Sequence, residues 1–358
     1  MKRILSFIAV IILAVSVAGC SADKKANLPT DNGGSRIFVD STGREITLPD
    51  NITKIAVTGP LSQMIIYSFA PELLACWCSR WSEQAQKYIP EEYWKLPVLG
   101  QLYGSKGEMN PEELIALGPD VVLDIGEGKK SMKEDMEELS TQTGIPFVHI
   151  EATMQTMGDA YRKLGELTGL EDRAGEYAAY CEEIYGRIAD IMNQVGENQK
   201  IRALYCLGDA GCNVIAKGSY QSEIIDLITD NVAVVENPSA KGTGNEADME
   251  QILNWNPDFI IFAPDSIYDE VAADPAWQQI SAIKNGNYVK VPLGPHNWLG
   301  FPPSVQRYPG MMWLAKVLYP DKCTFDIAEE VKRYYRMFYH VDLSDADYEL
   351  LTEDAFLH

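Results

Sequence analysis

Two α/β lobes joined by one long helix are predicted by three features of this 358-residue sequence. Short apolar strands alternate with helical runs, the pattern of a parallel sheet covered by helices. A helix-to-strand signature occurs once in each half. Between the halves lies one uninterrupted helical stripe. About 320 residues follow the N-terminal segment, more than one hydrophobic core usually serves, so two lobes are expected.

The chain opens with Lys2 and Arg3, followed by an apolar run of fifteen residues from Ile4 to Ala18 and then Gly19-Cys20. A membrane-spanning helix needs about 20 apolar residues, so the run reads as a signal-peptide core over residues 1–19. Small residues directly before a cysteine resemble the bacterial lipobox, which implies that Cys20 is lipidated and holds the protein to a membrane. Residues 21–35 are polar, with a proline and a Gly-Gly pair, and cannot bury enough surface to fold. They read as a flexible tether.

The first lobe is expected over residues 36–169. Ile37 to Asp40 and Glu45 to Leu48 flank a Thr42-Gly43-Arg44 turn and read as a hairpin. Ile55-Ala56-Val57 is a short strand, Gly59-Pro60 breaks it, and a helical run extends from about Leu61 to Phe69. Leu114 to Leu117 closes a helix, Gly118-Pro119 stops it, and Val121-Val122-Leu123 reads as a buried strand. Pro146 to Ile150 repeats that step.

The signature Leu114 to Leu123 returns as Ile252 to Ile261, with Pro119-Asp120 matched by Pro257-Asp258, 138 residues later. Proline ends a helix and biases the residue before it to extended geometry, so each pair makes an abrupt helix-to-strand turn. The connector is expected over residues 170–196. Ala174, Tyr177, Ala178, Cys181, Ile184, Tyr185, Ile188, Ile191, Met192 and Val195 form one stripe at helical spacing. At 1.5 Å per residue such a helix is about 40 Å long, enough to bridge two lobes. The second lobe is expected over residues 197–358.

Thirty Lys and Arg less the leader's two leave 28, against 52 acidic side chains, a surface that repels nucleic acid. Six cysteines remain after Cys20. Cys206 and Cys212 are the pair close enough in sequence to join, Cys76-x-Cys78 is poorly spaced for zinc, and most of the six read as small buried residues. Asp265 and Asp269 are paired carboxylates, as is expected by chance in so acidic a chain. A Gly-x-Ser-x-Gly elbow, a His-Glu-x-x-His pair and a Walker lysine loop are all absent, so a hydrolase or reductase is the weaker alternative. A structural lipoprotein or adhesin would not call for two lobes.

Several segments in order carry a family resemblance: Val39 to Pro49, Val98-Leu99-Gly100, Met109 to Leu114 leading to Pro119-Asp120, Gly218-Ser219-Tyr220, Asn256-Pro257-Asp258, Pro302-Pro303-Ser304 and Leu314 to Pro320. Together they resemble the substrate-binding lipoproteins of ABC importers for iron chelates (siderophore or haem) and corrinoids. The resemblance covers about Val39 to Leu343. It implies a non-enzymatic, extracytoplasmic receptor, acting as a monomer. The ligand is captured in the cleft between the lobes and delivered to a membrane permease with its ATPase. No cofactor is implied; the ligand itself brings iron or cobalt. The resemblance also implies one docking acid on each lobe. Glu223 matches the second; on the first, Gln63 and Met64 stand where a glutamate is usual.

Cleft walls in this architecture come from loops after strands and at helix starts. The first lobe offers Gly59 to Ser62, Ser79-Arg80-Trp81, Gln101-Leu102-Tyr103 and Gly126-Glu127; the second offers Leu207 to Asp209, Lys241 to Thr243 and Gly294 to Trp298. Trp81, Tyr103 and Trp298 would supply aromatic faces for a planar chelate, and Arg80, Lys241 and Arg307 would meet its carboxylates. Ser62 would help to surround an oxyanion such as molybdate or tungstate, the rival ligand class. His296 is the one histidine placed to complete the coordination of a chelated metal. His149, in an apolar strand, is expected to be a satisfied core residue, and His340 lies in an aromatic helix. Four histidines in the chain are too few and too scattered for a cage around a bare metal ion.

Overall fold

The computed structural model describes residues 34–102, 109–300 and 302–357. The leader, Cys20, most of the tether and Tyr103 lie outside these residues. Strands β1 (Ser35–Val39) and β2 (Glu45–Pro49) form the expected antiparallel hairpin. Its turn is fixed by Asp40, whose carboxylate accepts from Thr42 and pairs with Arg44 in a buried ion pair.

The first lobe is built on a parallel sheet of β3 (Ile55–Val57), β4 (Val121–Gly126) and β5 (Phe147–Glu151), in that order. All six residues of β4 are buried, as befits a strand covered on both faces. Leu123 and Ile125 enter one apolar cluster, while Val122 joins Ala56, Phe147, Met132 and Met136 in another.

In the second lobe, β6 (Arg202–Leu207), β10 (Phe259–Phe262) and β11 (Tyr288–Lys290) are parallel neighbours. Short strands β7 (Asn213–Val214), β8 (Asp230–Asn231) and β9 (Asn245–Glu246) extend this sheet.

The repeated turn is the same device in both lobes. Gly118 and Asn256 each end a helix in the left-handed region, at φ of 60° and 43°. The next aspartate then donates its amide to the start of the neighbouring strand, Asp120 to Lys54 O just before β3 and Asp258 to Arg202 O at the first residue of β6, each at 2.9 Å. Lys54 and Arg202 return a side chain to the exposed carbonyls of Leu117 and of Trp255 and Asn256. A cation at a helix C-terminus offsets the negative end of the helix dipole.

The connector is one helix, Glu171–Val195. Ala174, Tyr177, Ala178, Cys181, Ile184, Ile188, Ile191 and Met192 are buried as the stripe requires, whereas Tyr185 and Val195 are only half-buried. Tyr180, off the stripe, is buried too, because Tyr308 and Phe338 cover its ring. One apolar cluster runs from Ile65 and Leu123 through Ile184 to Tyr205 and Ile261, so the lobes share a core.

The C-terminal segment does not stay with the second lobe. A π-helical turn, Tyr335–Tyr339, packs on the first lobe's Pro60–Phe69 helix, and Tyr67 donates to Tyr339 O. Tyr177 of the connector donates to both Ser68 O and Met337 O. All six described cysteines are free, Cys206 and Cys212 included, and all but Cys212 are buried.

Candidate functional site

Among the described residues, two seams between the lobes stand out. In one, the second lobe grips the backbone of Met154, just after β5. Glu223 accepts from Met154 N at 2.7 Å, and Tyr308 donates to Met154 O at 2.9 Å. Nearby, Tyr220 donates to Ala152 O at 3.0 Å. Gly126, at the end of β4, lets the Leu61 side chain lie against the backbone here. It sits at φ 147°, and a Cβ there would lie 2.5 Å from Leu61 and 3.9 Å from the Tyr220 hydroxyl.

Arg307 stands behind this seam. It is wholly buried and donates to the carbonyls of Leu299, Tyr220 and Gln221, with Glu223 3.7 Å away as its ion-pair partner. Burial lowers the Arg307 pKa, an effect opposed by the Glu223 charge; burial raises that of Glu223, against the pull of Arg307. Here Arg307 organises protein rather than meeting a ligand, since its donors already face carbonyls. Gln221 continues the chain of support, donating to Ala240 O in the loop that carries Lys241. Glu223 likewise faces inward to Met154, where a docking acid would have to face out.

The other seam joins Trp81 to His296. Their ring centroids lie 5.0 Å apart at 44°, one ring from each lobe. Trp81 is 8% exposed and leans on Trp77 and Tyr67. Behind His296, Asn297 braces the loop: it donates to the Tyr205 hydroxyl and accepts from Leu299 N and Gly300 N. His296 as a residue is partly exposed, but its Nε2 is buried. That burial pulls the imidazole pKa down to about 4, so the ring is neutral at pH 7.

Trp81 Nε1 and His296 Nε2 are both buried without a hydrogen-bond partner. Buried polar groups are nearly always paired, because an unmet one costs about 1–3 kcal/mol. Both atoms belong to rings that meet across the lobe boundary.

The remaining predicted residues divide. Arg80 and Lys241 are exposed, one on each lobe, and neither head group has a partner among the described residues. Trp298 is fully buried in the shared core, its Nε1 near the Tyr335 hydroxyl without making a well-formed bond, and presents no face to the cleft. Ser62 is buried and accepts from Ile125 N at 2.8 Å, tying its helix to the end of β4. Gln63, at the first-lobe docking position, is buried and accepts from Cys78 N. No group of three or more metal-ligating side chains occurs among the described residues.

The profile of the periplasmic binding protein family matches residues 63–292, well over half the chain. The chain belongs to that family. Among solved structures, an ABC transporter solute-binding protein from Sulfurospirillum deleyianum aligns with a TM-score of 0.82 at 26% identity, over 89% of this chain and 99% of that one. Among curated proteins, the molybdate-binding protein MolA of Haemophilus influenzae is 26% identical over 337 residues, covering 85% of this chain and 91% of its own. The Fe(3+)-citrate-binding protein YfmC of Bacillus subtilis is 20% identical over 293 residues, covering 80% and 88%.

As a periplasmic binding protein, the chain is the extracytoplasmic solute receptor of an ABC transporter and not an enzyme. A permease partner and a small-molecule ligand follow from that role. Among the described residues no helix is long and apolar enough to cross a membrane.

Sequence reading missed Met154, Tyr308 and Gln221, which act from behind, and gave Asn297 only as part of the Gly294 to Trp298 wall. Asn297 also carried a signal for its bracing role, as a short polar side chain beside a predicted cleft histidine, suited to bonding local backbone.

Proposed function

We propose that the protein is a lipid-anchored receptor for a compact tetrahedral oxyanion of the molybdate and tungstate type. The observation that carries this reading is the pair of buried and unpartnered ring nitrogens, Trp81 Nε1 and His296 Nε2, on two rings in contact across the lobe boundary. An oxyanion accepts hydrogen bonds and needs no apolar face. Neutral donors bind it without the desolvation cost of burying cations. Trp81 donates from Nε1, and neutral His296 donates in its Nε2–H tautomer. Rings 5.0 Å apart admit a small ligand after slight opening, whereas a macrocycle would have to part them. The relative named for molybdate binding, aligned over 91% of its own length, supports the same ligand class.

A ferric carboxylate chelate is the second reading. Arg80 and Lys241, cations without partners on opposite lobes, favour it, and the Fe(3+)-citrate-binding relative supports it. Titration calorimetry with molybdate, tungstate and ferric citrate decides between them. We expect molybdate and tungstate to bind at one site per chain, and Trp81→Phe to weaken them. Binding of ferric citrate alone would move the ligand to the Arg80 and Lys241 rim, and binding of none would overturn both.

The anchor rests on Ala18-Gly19-Cys20 and the polar tether after it. Cys20→Ser should release the protein from the membrane fraction. Retention of that variant would overturn the anchor.

A further inference from the structure

Seven residues after Trp81, the first lobe makes a second contact with the loop that carries His296. Residues 78–97 form a closed excursion, pinned at its base where Trp77 N donates to Pro97 O and Leu99 N donates to Trp77 O. Inside it, Trp77 Nε1 donates to Tyr93 O and Gln86 Nε2 to Trp81 O, so Trp81 and Tyr88 belong to one packed unit. Residues 292–298 of the second lobe form a tight hairpin in turn. Leu293 bridges to Asn297, Gly294 N donates to His296 O at 3.1 Å, and Trp298 N donates to Pro292 O at 3.2 Å. A shift of Gly294 therefore carries His296 with it.

Tyr88 lies hard against Gly294. A Cβ there would sit 2.9 Å from the Tyr88 hydroxyl oxygen, 3.1 Å from its Cζ and 2.8 Å from Leu351 Cδ1, an approach that only glycine allows. Tyr335, in the π-helical turn, ties the same residue: its hydroxyl donates to Gly294 O, and its ring meets that of Tyr88 at 5.3 Å. Both tyrosines are buried, so Tyr88 cannot turn aside without giving up Tyr335. Leu351 is half-buried at the end of the Asp345–Leu351 helix, where its side chain is freer to yield.

We infer that Tyr88 and Tyr335 clasp Gly294 and thereby set the gap between Trp81 and His296. The inference rests on the reading that the ligand binds between those two rings. One ring contact alone would leave the hairpin free to pivot; a second contact between the same two units fixes the separation. The clasp lets the seam open only slightly, which suits a compact ligand that must reach both rings at once. Tyr88 and Tyr335 are positioning residues, acting on the ligand only through His296 and Trp81. The missing side chain at Gly294 is what keeps the gap narrow.

The test uses the full chain carrying Cys20→Ser. Acrylamide quenching reads the gap with no ligand present. The chain has seven tryptophans, so Trp81 is isolated as the difference between each protein and its Trp81→Phe counterpart. Gly294→Ala should press the hairpin away from Tyr88, raise the quenching of Trp81, and lower molybdate affinity by about fivefold or more, because hydrogen bonds weaken steeply as their geometry is lost. Adding Tyr88→Phe removes the oxygen that the new methyl meets and should restore most of both readouts. Should Gly294→Ala fail to fold, Tyr335→Phe, which keeps the ring and releases Gly294 O, should move both readouts the same way. A wild-type chain that binds neither molybdate nor tungstate would sink the ligand reading, and the quenching arm would still decide the clasp. Unchanged quenching in the variant would overturn the clasp whatever the ligand. Raised quenching with undiminished molybdate affinity, or a loss that Tyr88→Phe does not relieve, would overturn it as well.

Discussion

The two seams between the lobes use similar residue types to opposite ends. At Met154, both backbone polar groups are met by the second lobe, and the acid that meets one of them is backed by Arg307. At Trp81 and His296, two rings touch across the boundary while their buried nitrogens meet nothing. A satisfied seam fixes how the lobes sit. The other leaves two buried ring nitrogens unmet, which is why the proposed ligand is placed there. The same contrast explains why Arg307 and Trp298 do not serve the cleft: each is already committed to the core or to protein carbonyls.

The sharpest way to break the contrast is Arg307→Met. The substitution keeps the volume but strips three carbonyls of their donors and leaves Glu223 half-buried without its counter-charge. Removing one partner of a buried ion pair typically costs about 3–5 kcal/mol. We expect a loss of that order in urea unfolding, and part of it should return when Glu223→Gln is added. A loss under about 1 kcal/mol would mean that the seam is ornamental.

Trp81→Phe tests the other seam and should do the reverse. A hydrogen bond to a charged group is worth about 1.5–3 kcal/mol. Oxyanion affinity should therefore fall at least tenfold, while the urea midpoint moves much less than for Arg307→Met. Scattering profiles with and without ligand should differ only slightly, because the lobes share one apolar cluster through the connector helix. A large ligand-dependent compaction would contradict that.

The scaffold was far more legible in the sequence than the site. Hairpin, paired Pro-Asp turns and connector stripe are all local patterns, set by period, turn residues and helix stops, and each appears close to where the pattern puts it. Site residues depend on what arrives from elsewhere in the chain. Trp81 and His296 were singled out for their residue type and loop setting, but nothing local says that residues 215 positions apart meet. Glu223 and Arg307 show the opposite failure. A charged residue near a predicted cleft reads as a ligand or docking group until the fold turns it inward: Arg307 donates to three carbonyls, and Glu223 accepts from Met154 N through Oε1 with Oε2 paired to Arg307 at 3.7 Å. Gln63 is the clearest lesson: at the position where the resemblance led us to expect a docking acid, its side chain is buried and accepts from Cys78 N, a structural role.

The smallest effect is also the most diagnostic, because the two seams titrate in opposite directions. Burial raises the Glu223 pKa above the ordinary glutamate value, so the native state keeps a proton that the unfolded chain has released. Its contribution to stability is full below the ordinary value and is lost as pH rises through the raised one. Burial lowers His296 to about 4, so the unfolded chain takes up a proton near pH 6.5 that the native state refuses. That contribution is lost as pH falls from about 6.5 toward 4. Stability–pH curves of two variants separate them. Glu223→Gln should remove a decline with rising pH, and His296→Asn should remove a decline with falling pH. Ligand binding gives the matching check: a neutral His296 predicts molybdate affinity that stays level from about pH 8 to 5. Affinity climbing steeply as pH falls through 6.5 would mean that the ring binds as imidazolium, and that the ligand supplies the charge needed to hold its proton.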